Sequence, residues 1–313
     1  MSTCTAVSQD LDEPMSATAP TARTWLLLEQ PGPWGAKALV SSHLDPALGR
    51  ALETASQGTG VRVALIRRPG RHADFAGTPP VRRVYAAHTA PGRVWLRSAT
   101  TSDPSRLLDL DFAALGRGDH HSFDTALQGR PHTGDPLALV CTNGKRDRCC
   151  ALLGRPLAAE LTASGVEGVW EVTHLGGHRF SPTVLVLPHG YAYGRAEAHT
   201  VKEVLHGVQE GRIVVEGCRG RSAWERPGQA AELAVRDAIG EYAAEALGVV
   251  HTHGEAPRWE VTVAHADGRH WTVVVAASAA LPPRPESCGA SVLGSPARMD
   301  VVAVRELATA LAS

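Results

Sequence analysis

Two short clusters carry the side chains best suited to chemistry: Cys141-x8-Cys150 and His174-x3-His178. Two thiolates and two imidazoles make a full set of four donors for a tetrahedral metal or for an iron–sulfur cluster. Gly176 and Gly177 lie between the histidines. They remove side-chain bulk and allow positive φ, so a tight loop can turn both imidazoles to one side. Cys149 and Cys150 are adjacent. Neighbours at a helix start point about 100° apart around the axis, so only one of them can face the site. Lys145-Arg146-Asp147-Arg148 reads as a solvated loop whose cations can donate to sulfur or steer an acidic partner. Cys218 and Cys288 read as small buried apolar side chains. His251 and His253 have no second pair of donors nearby in sequence and read as surface residues.

The elements around these clusters must deliver them to one place. Residues 137–140 form an apolar run that predicts a strand ending at Cys141, and a helix is expected after Cys150 with Leu153, Leu157 and Leu161 on one stripe. Pro156 either starts that helix or kinks it. Residues 169–172 predict the strand that delivers His174, residues 184–187 and 191–193 a hairpin, and residues 197–208 a closing amphipathic helix. Loops leaving the same edge of an α/β sheet converge, which is where such folds place their sites.

Upstream the same order occurs. Strands are predicted at 25–29, 61–67, 84–88 and 93–97, with a helix from Pro46 capped by Asp45 and another at about 104–115 capped by Asp103. The chain is therefore read as α/β: a thioredoxin-like domain over 136–215, preceded by a second thioredoxin-like unit over 24–116 that has no cysteine, as a pseudo-repeat. Residues 1–23, rich in Ser, Thr, Ala and Pro, are expected to be a disordered tail, and 117–135 a linker. Residues 216–313 are expected to be a C-terminal α+β extension: a helix at 229–247, a hairpin of strands 259–264 and 270–276 around Asp267-Gly268, and a final strand and helix.

Composition bounds the partners. Thirty-one Lys and Arg against 32 Asp and Glu leave a formal net charge of -1, so no overall basicity recommends nucleic acid or an anionic membrane. No apolar stretch reaches the roughly 20 residues of a membrane span, and the N-terminus does not read as a secretory signal. Six cysteines without regular spacing point to a reducing cytoplasm, where clustered cysteines bind metal or do redox chemistry.

Four segments resemble the sucrase/ferredoxin-like family, which includes the fungal actin-patch-distribution proteins: residues 141–150, 170–180, 187–195 and 219–222. Glu29-Gln-Pro-Gly-Pro-Trp-Gly35 is similar to bacterial members. The resemblance implies a thioredoxin-like [2Fe-2S] ferredoxin domain with ligands falling on Cys141, Cys150, His174 and His178, and Arg146, Cys149, Gly177 and Arg179 around them. The word sucrase in the family's name gets no support here, since glycoside hydrolysis needs two opposed carboxylates and no such pair stands out. Two thiolates bring an oxidised cluster to formal neutrality where four would leave it doubly negative, so a potential above that of all-cysteine ferredoxins is expected. Each ligating imidazole keeps an ionisable N–H, which couples reduction to protonation. The expected function is an electron carrier or redox sensor, not a catalyst, working with a redox partner protein. Spacing alone leaves a structural Cys2His2 zinc site open, and a thiol-disulfide oxidoreductase is the weaker alternative because Cys-x-x-Cys is lacking.

Overall fold

The computed structural model describes residues 3–70 and 81–308. In chain order the first half comprises α1 (Cys4–Asp10), β1 (Thr24–Glu29), α2 (Pro46–Ser56), β2 (Val61–Arg67), β3 (Arg82–His88), β4 (Trp95–Thr101), α3 (Phe112–Gly116), α4 (His121–Leu127) and β5 (Arg130–Pro131). The second half comprises β6 (Leu137–Cys141), α5 (Arg148–Ala163), β7 (Val169–Val172), β8 (Val184–Leu187), β9 (Tyr191–Tyr193), α6 (Ala198–Gln209), β10 (Cys218–Arg221), α7 (Arg226–Ile239), β11 (Leu247–Glu255), β12 (Arg258–His265), β13 (His270–Ala279) and β14 (Ala297–Leu307).

Strands β1 to β10 form one mixed sheet in the order β10-β9-β8-β6-β7-β2-β1-β3-β4-β5. Its two halves repeat one plan. β1 pairs in parallel with β2 and antiparallel with β3, and β6 pairs in parallel with β7 and antiparallel with β8. The halves meet where β2 runs antiparallel to β7, at Ile66 opposite Val172 and Arg67 opposite Glu171. β6 is buried along its length and β1 as far as Leu28, as apolar runs covered on two faces must be. On one face each half carries its own helical core: Leu26, Leu28 and Leu65 with Leu48, Leu52 and Phe123, and Ala138 and Val140 with Leu157, Leu161, Val201 and Val204. On the other face a single core crosses the join, through Trp25, Leu27, Ile66, Leu139, Cys141, Trp170 and Val172. The second sheet, β11-β12-β13-β14, is antiparallel and packs on α7 through Ala231, Val235, Val261, Val263, Trp271, Val273 and Val275.

Several expectations need correction. Residues 3–23 are not a bare tail: α1 buries Cys4, Thr5 and Ser8, and Ala17, Ala19 and Ala22 are buried farther along. Small, weakly polar residues read as disorder by composition, yet they let a chain lie flat on a core. The segment 117–135 contains α4, whose Phe123 and Leu127 fill the first helical core, and edge strand β5. Residues 104–115 split into a 3-10 turn at Pro104–Asp109 and α3, because Asp111 caps a fresh start by accepting from Ala114 N. The helix expected to reach 247 ends at Ile239, where Gly240 takes φ 65°, and β11 follows. Pro156 lies inside α5. β14 runs as far as Leu307 where a closing helix was expected, and residues 309–313 lie outside the described residues.

One buried histidine makes the fold pH-sensitive. His88 Nδ1 lies 2.8 Å from Thr24 Oγ1, and the ring stacks on Trp95 at 5.9 Å. Burial first, then the charges of Arg23, Arg93 and Arg221, push its pKa down from 6.5 to about 4. Between those values the unfolded chain takes a proton that the folded chain refuses, so stability falls as pH falls through that window. Thermal melts of wild type and His88→Gln should diverge near neutrality and converge toward pH 4, with the variant flatter between 6.5 and 4. Parallel slopes would remove His88 as the cause.

Candidate metal centre

Two neighbouring parallel strands, β6 and β7, end at the same edge of the sheet and hold out the two loops. After Cys141 the chain turns through Thr142 and Asn143, and Asp147 opens α5 by accepting from Cys149 N at 2.9 Å. Gly154 lets that helix lie against the strand end, because a Cβ there would stand 2.2 Å from Cys141 O. After β7, Gly176 and Gly177 take φ 97° and 69°. A Cβ on Gly177 would meet Arg219 Nη2 at 2.0 Å, so this glycine is needed for space as well as for conformation.

The donor atoms of Cys141, Cys150 and His174 lie within 4.8 Å of one another. His178 is outside that trio but adjacent to it: its ring centroid is 5.3 Å from that of His174, and its Nε2 is 3.6 Å from Asp147 Oδ2. Nδ1 of both histidines is buried and has no hydrogen-bond partner. Cys141 is held well below the ordinary thiol range, chiefly by a hydrogen bond from Cys150 and, against the opposing effect of burial, by His174. Cys150 is correspondingly pushed up. Burial pushes the His178 imidazole down while the Asp147 carboxylate opposes it.

Residues far along the chain brace these loops. Arg62 Nη2 donates to His174 O at 2.7 Å, and Arg219, itself 0% exposed, donates to Gly176 O at 3.2 Å. Both guanidiniums feel the Cys141 charge. The segment 29–35 supports the cysteine loop: Asn143 Nδ2 donates to Gly35 O at 3.0 Å, and Arg67 lies over the Trp34 ring at 4.2 Å. The same Arg67 pairs with buried Glu171 at 2.7 Å, and Glu171 also accepts from Thr142 Oγ1 at 2.8 Å. In 219–222, Arg221 donates to Thr89 O and Ala244 O and pairs with Glu245, while Ser222 Oγ accepts from Trp25 Nε1 at 3.1 Å.

The residues expected around the ligands fare unevenly. Gly177 lies in the histidine loop, with Arg219 in the space that its Cβ would take. Arg146 is exposed, and its backbone N–H donates back to Asn143. Arg179 turns to Glu13, Nε to Oε1 at 2.8 Å, and lies over Phe180. Cys149 faces away from Cys150's partners: its Sγ is 3.5 Å from Cys4 Sγ and 3.0 Å from Cys288 Sγ. Cys288 is thus not an isolated apolar filler, whereas Cys218 does sit in the second helical core. Sequence reasoning missed Asp147, whose position just before a helix start was the available signal. It also missed Arg62, Glu13 and Cys4, for which no local signal exists.

No helix among the described residues is long and apolar enough to cross a membrane. No curated protein and no solved structure matched the chain. The family model described as sucrase/ferredoxin-like matches residues 15–220, a span that takes in both halves of the large sheet, the cysteine and histidine loops and their bracing arginines. The chain belongs to the sucrase/ferredoxin-like family.

Proposed function

We infer that this protein holds a [2Fe-2S] cluster through Cys141, Cys150, His174 and His178 and serves as an electron carrier or redox sensor. The observation that carries the reading is the convergence of Cys141, Cys150 and His174, whose donor atoms lie within 4.8 Å of one another, with the His178 ring 5.3 Å from that of His174 and a buried, unpartnered Nδ1 on each histidine. Buried nitrogens without partners are costly, and coordination removes the cost. The ferredoxin-like description of the matching family supports iron over the zinc that the same donor set accepts. When bound, the cluster supplies a one-electron acceptor.

The chain's own residues tune that acceptor. The half-buried Arg62 and the buried Arg219 place two positive charges near Cys141 and favour the added electron. Asp147, 3.6 Å from His178 Nε2, favours retention of the proton on that nitrogen once Nδ1 is committed to a ligand role. Reduction is then coupled to protonation at the histidine edge, which is partly exposed, with His178 18% accessible.

The test is anaerobic purification followed by iron and sulfide analysis and a visible spectrum. About two irons per chain with bands that bleach with dithionite are expected. A colourless protein with stoichiometric zinc at these donors overturns the reading. With iron present, the midpoint potential should fall as pH rises, and Arg62→Met should lower it at every pH without loss of iron. An unchanged potential in that variant would remove Arg62 from the tuning set.

A further inference from the structure

Cys4, Asp147, Cys149 and Cys288 present donor atoms within 4.8 Å of one another, apart from the trio of Cys141, Cys150 and His174. The three Sγ atoms form a closed triangle with sides of 3.5, 3.0 and 3.6 Å. Asp147 Oδ1 and Oδ2 lie 3.9 and 4.0 Å from Cys4 Sγ. Tetrahedral zinc with Zn–S near 2.3 Å separates its sulfurs by roughly 3.8 Å. The triangle needs only a small expansion to reach that. A disulfide would need a contraction of its shortest side to about 2.05 Å, and it would leave the third sulfur without a role. A multi-iron cluster would need sulfurs spread much more widely than this.

The geometry points to a second metal site, a structural zinc bound by the thiolates of Cys4, Cys149 and Cys288 with the Asp147 carboxylate as fourth ligand. The local frame suits an anionic donor set. Cys149 lies in the first turn of a sixteen-residue helix, where the backbone amides favour negative charge. Asp147 is oriented by Cys149 N at 2.9 Å and Cys288 N at 2.8 Å, and its Oδ1, the oxygen not facing His178, has a further lone pair for a metal. Binding releases the thiol protons, so affinity rises with pH.

The site's position states its purpose. Its ligands come from α1, the start of α5 and the loop between β13 and β14, three segments that no sheet register holds together. A parallel clamp joins the same regions: buried Glu13 accepts from Arg179 beside the histidines and from Arg284 in the C-terminal loop, at 2.8 and 3.0 Å. Thr5 Oγ1 also donates to His178 O at 3.0 Å. Zinc here fastens both ends of the chain over the histidine edge of the first site. The inference stands whether that first site takes iron or zinc.

The test uses the full chain, purified anaerobically from zinc-supplemented medium and passed through a chelating column. Metal analysis should give about one zinc per chain beyond whatever occupies the first site, and zinc-edge absorption should show three sulfurs and one light donor. Cys4→Ser and Cys288→Ser should each lower zinc affinity, measured by competition with a chromophoric chelator, by more than about tenfold, while the iron content and visible spectrum stay at wild-type levels. Cys218→Ser should leave the zinc content unchanged. Because a variant can misfold, zinc release from wild type on titration with a mercurial provides an independent reading: release should be complete at three thiols. Wild type that retains no zinc beyond the first site, undiminished zinc in the Cys4→Ser/Cys288→Ser double variant, or a Cys149–Cys288 disulfide in the isolated protein would overturn the proposal.

Discussion

Cys141→Ser and Cys150→Ser should each reduce iron at the first site to background, whereas Cys149→Ser should retain it. The three sulfurs sit within ten residues of one another, so composition cannot separate them and only direction can. Cys141 ends β6 and Cys150 is the third residue of α5, and both belong to the core that crosses the join of the two half-sheets. Cys149, one residue earlier, turns toward Cys4 and Cys288. A serine hydroxyl has a pKa far above that of a thiol and cannot supply the thiolate that the metal needs. The loss should therefore approach complete rather than graded. Iron per folded chain and the visible spectrum decide the outcome. Full iron in Cys150→Ser with none in Cys149→Ser would exchange their assignments, and unchanged iron in all three would move the site elsewhere.

The legible parts of this molecule were those where a local pattern has a single reading. Apolar runs such as residues 137–141 and 169–172 end abruptly at Cys141 and before His174, so both loops were visible as strand ends, and the repeated order of elements anticipated two matching half-sheets. The paired glycines before His178 were legible for the same reason: positive φ has few alternatives. What escaped was long-range. Cys4 meets Cys149 across 145 residues and Cys288 meets it across 139, and neither cysteine lies in a pattern that announces a partner. Residues 15–23 looked unstructured because they carry little apolar surface, yet Ala19 and Ala22 cover the shared core and Thr18 accepts from Arg219. β11 escaped because its outer half is exposed on both faces, and its hydrogen bonds to β12, not its side chains, hold it as a strand.

Glu232→Ala should destabilise the fold by about 3–5 kcal/mol, the largest effect expected of any single change outside the metal ligands. Glu232 and Arg236 are both 0% exposed, one turn apart on α7, with Nη2 and Oε1 separated by 3.0 Å. Tyr191 OH donates to the same Oε1, and Arg236 Nη2 in turn donates to Tyr191 OH at 2.9 Å. Arg236 then reaches Ala243 O and Ala244 O at 2.9 and 3.2 Å, beyond the helix end. Through this network α7, which packs on the second sheet, is fastened to β9 of the first. Truncating the carboxylate leaves a guanidinium buried with no counter-charge, and the cost is that of stranding it, not that of one lost hydrogen bond. The argument has a sharper consequence. If stranding is the cause, Glu232→Leu combined with Arg236→Met should recover most of the loss, because replacing both members of a buried pair by apolar groups is often close to neutral. Urea midpoints of wild type, the single variant and the double variant measure this directly. A double variant as unstable as Glu232→Ala alone would mean that the network acts through geometry at the α7–β9 contact, with Tyr191 left without its acceptor, and not through charge.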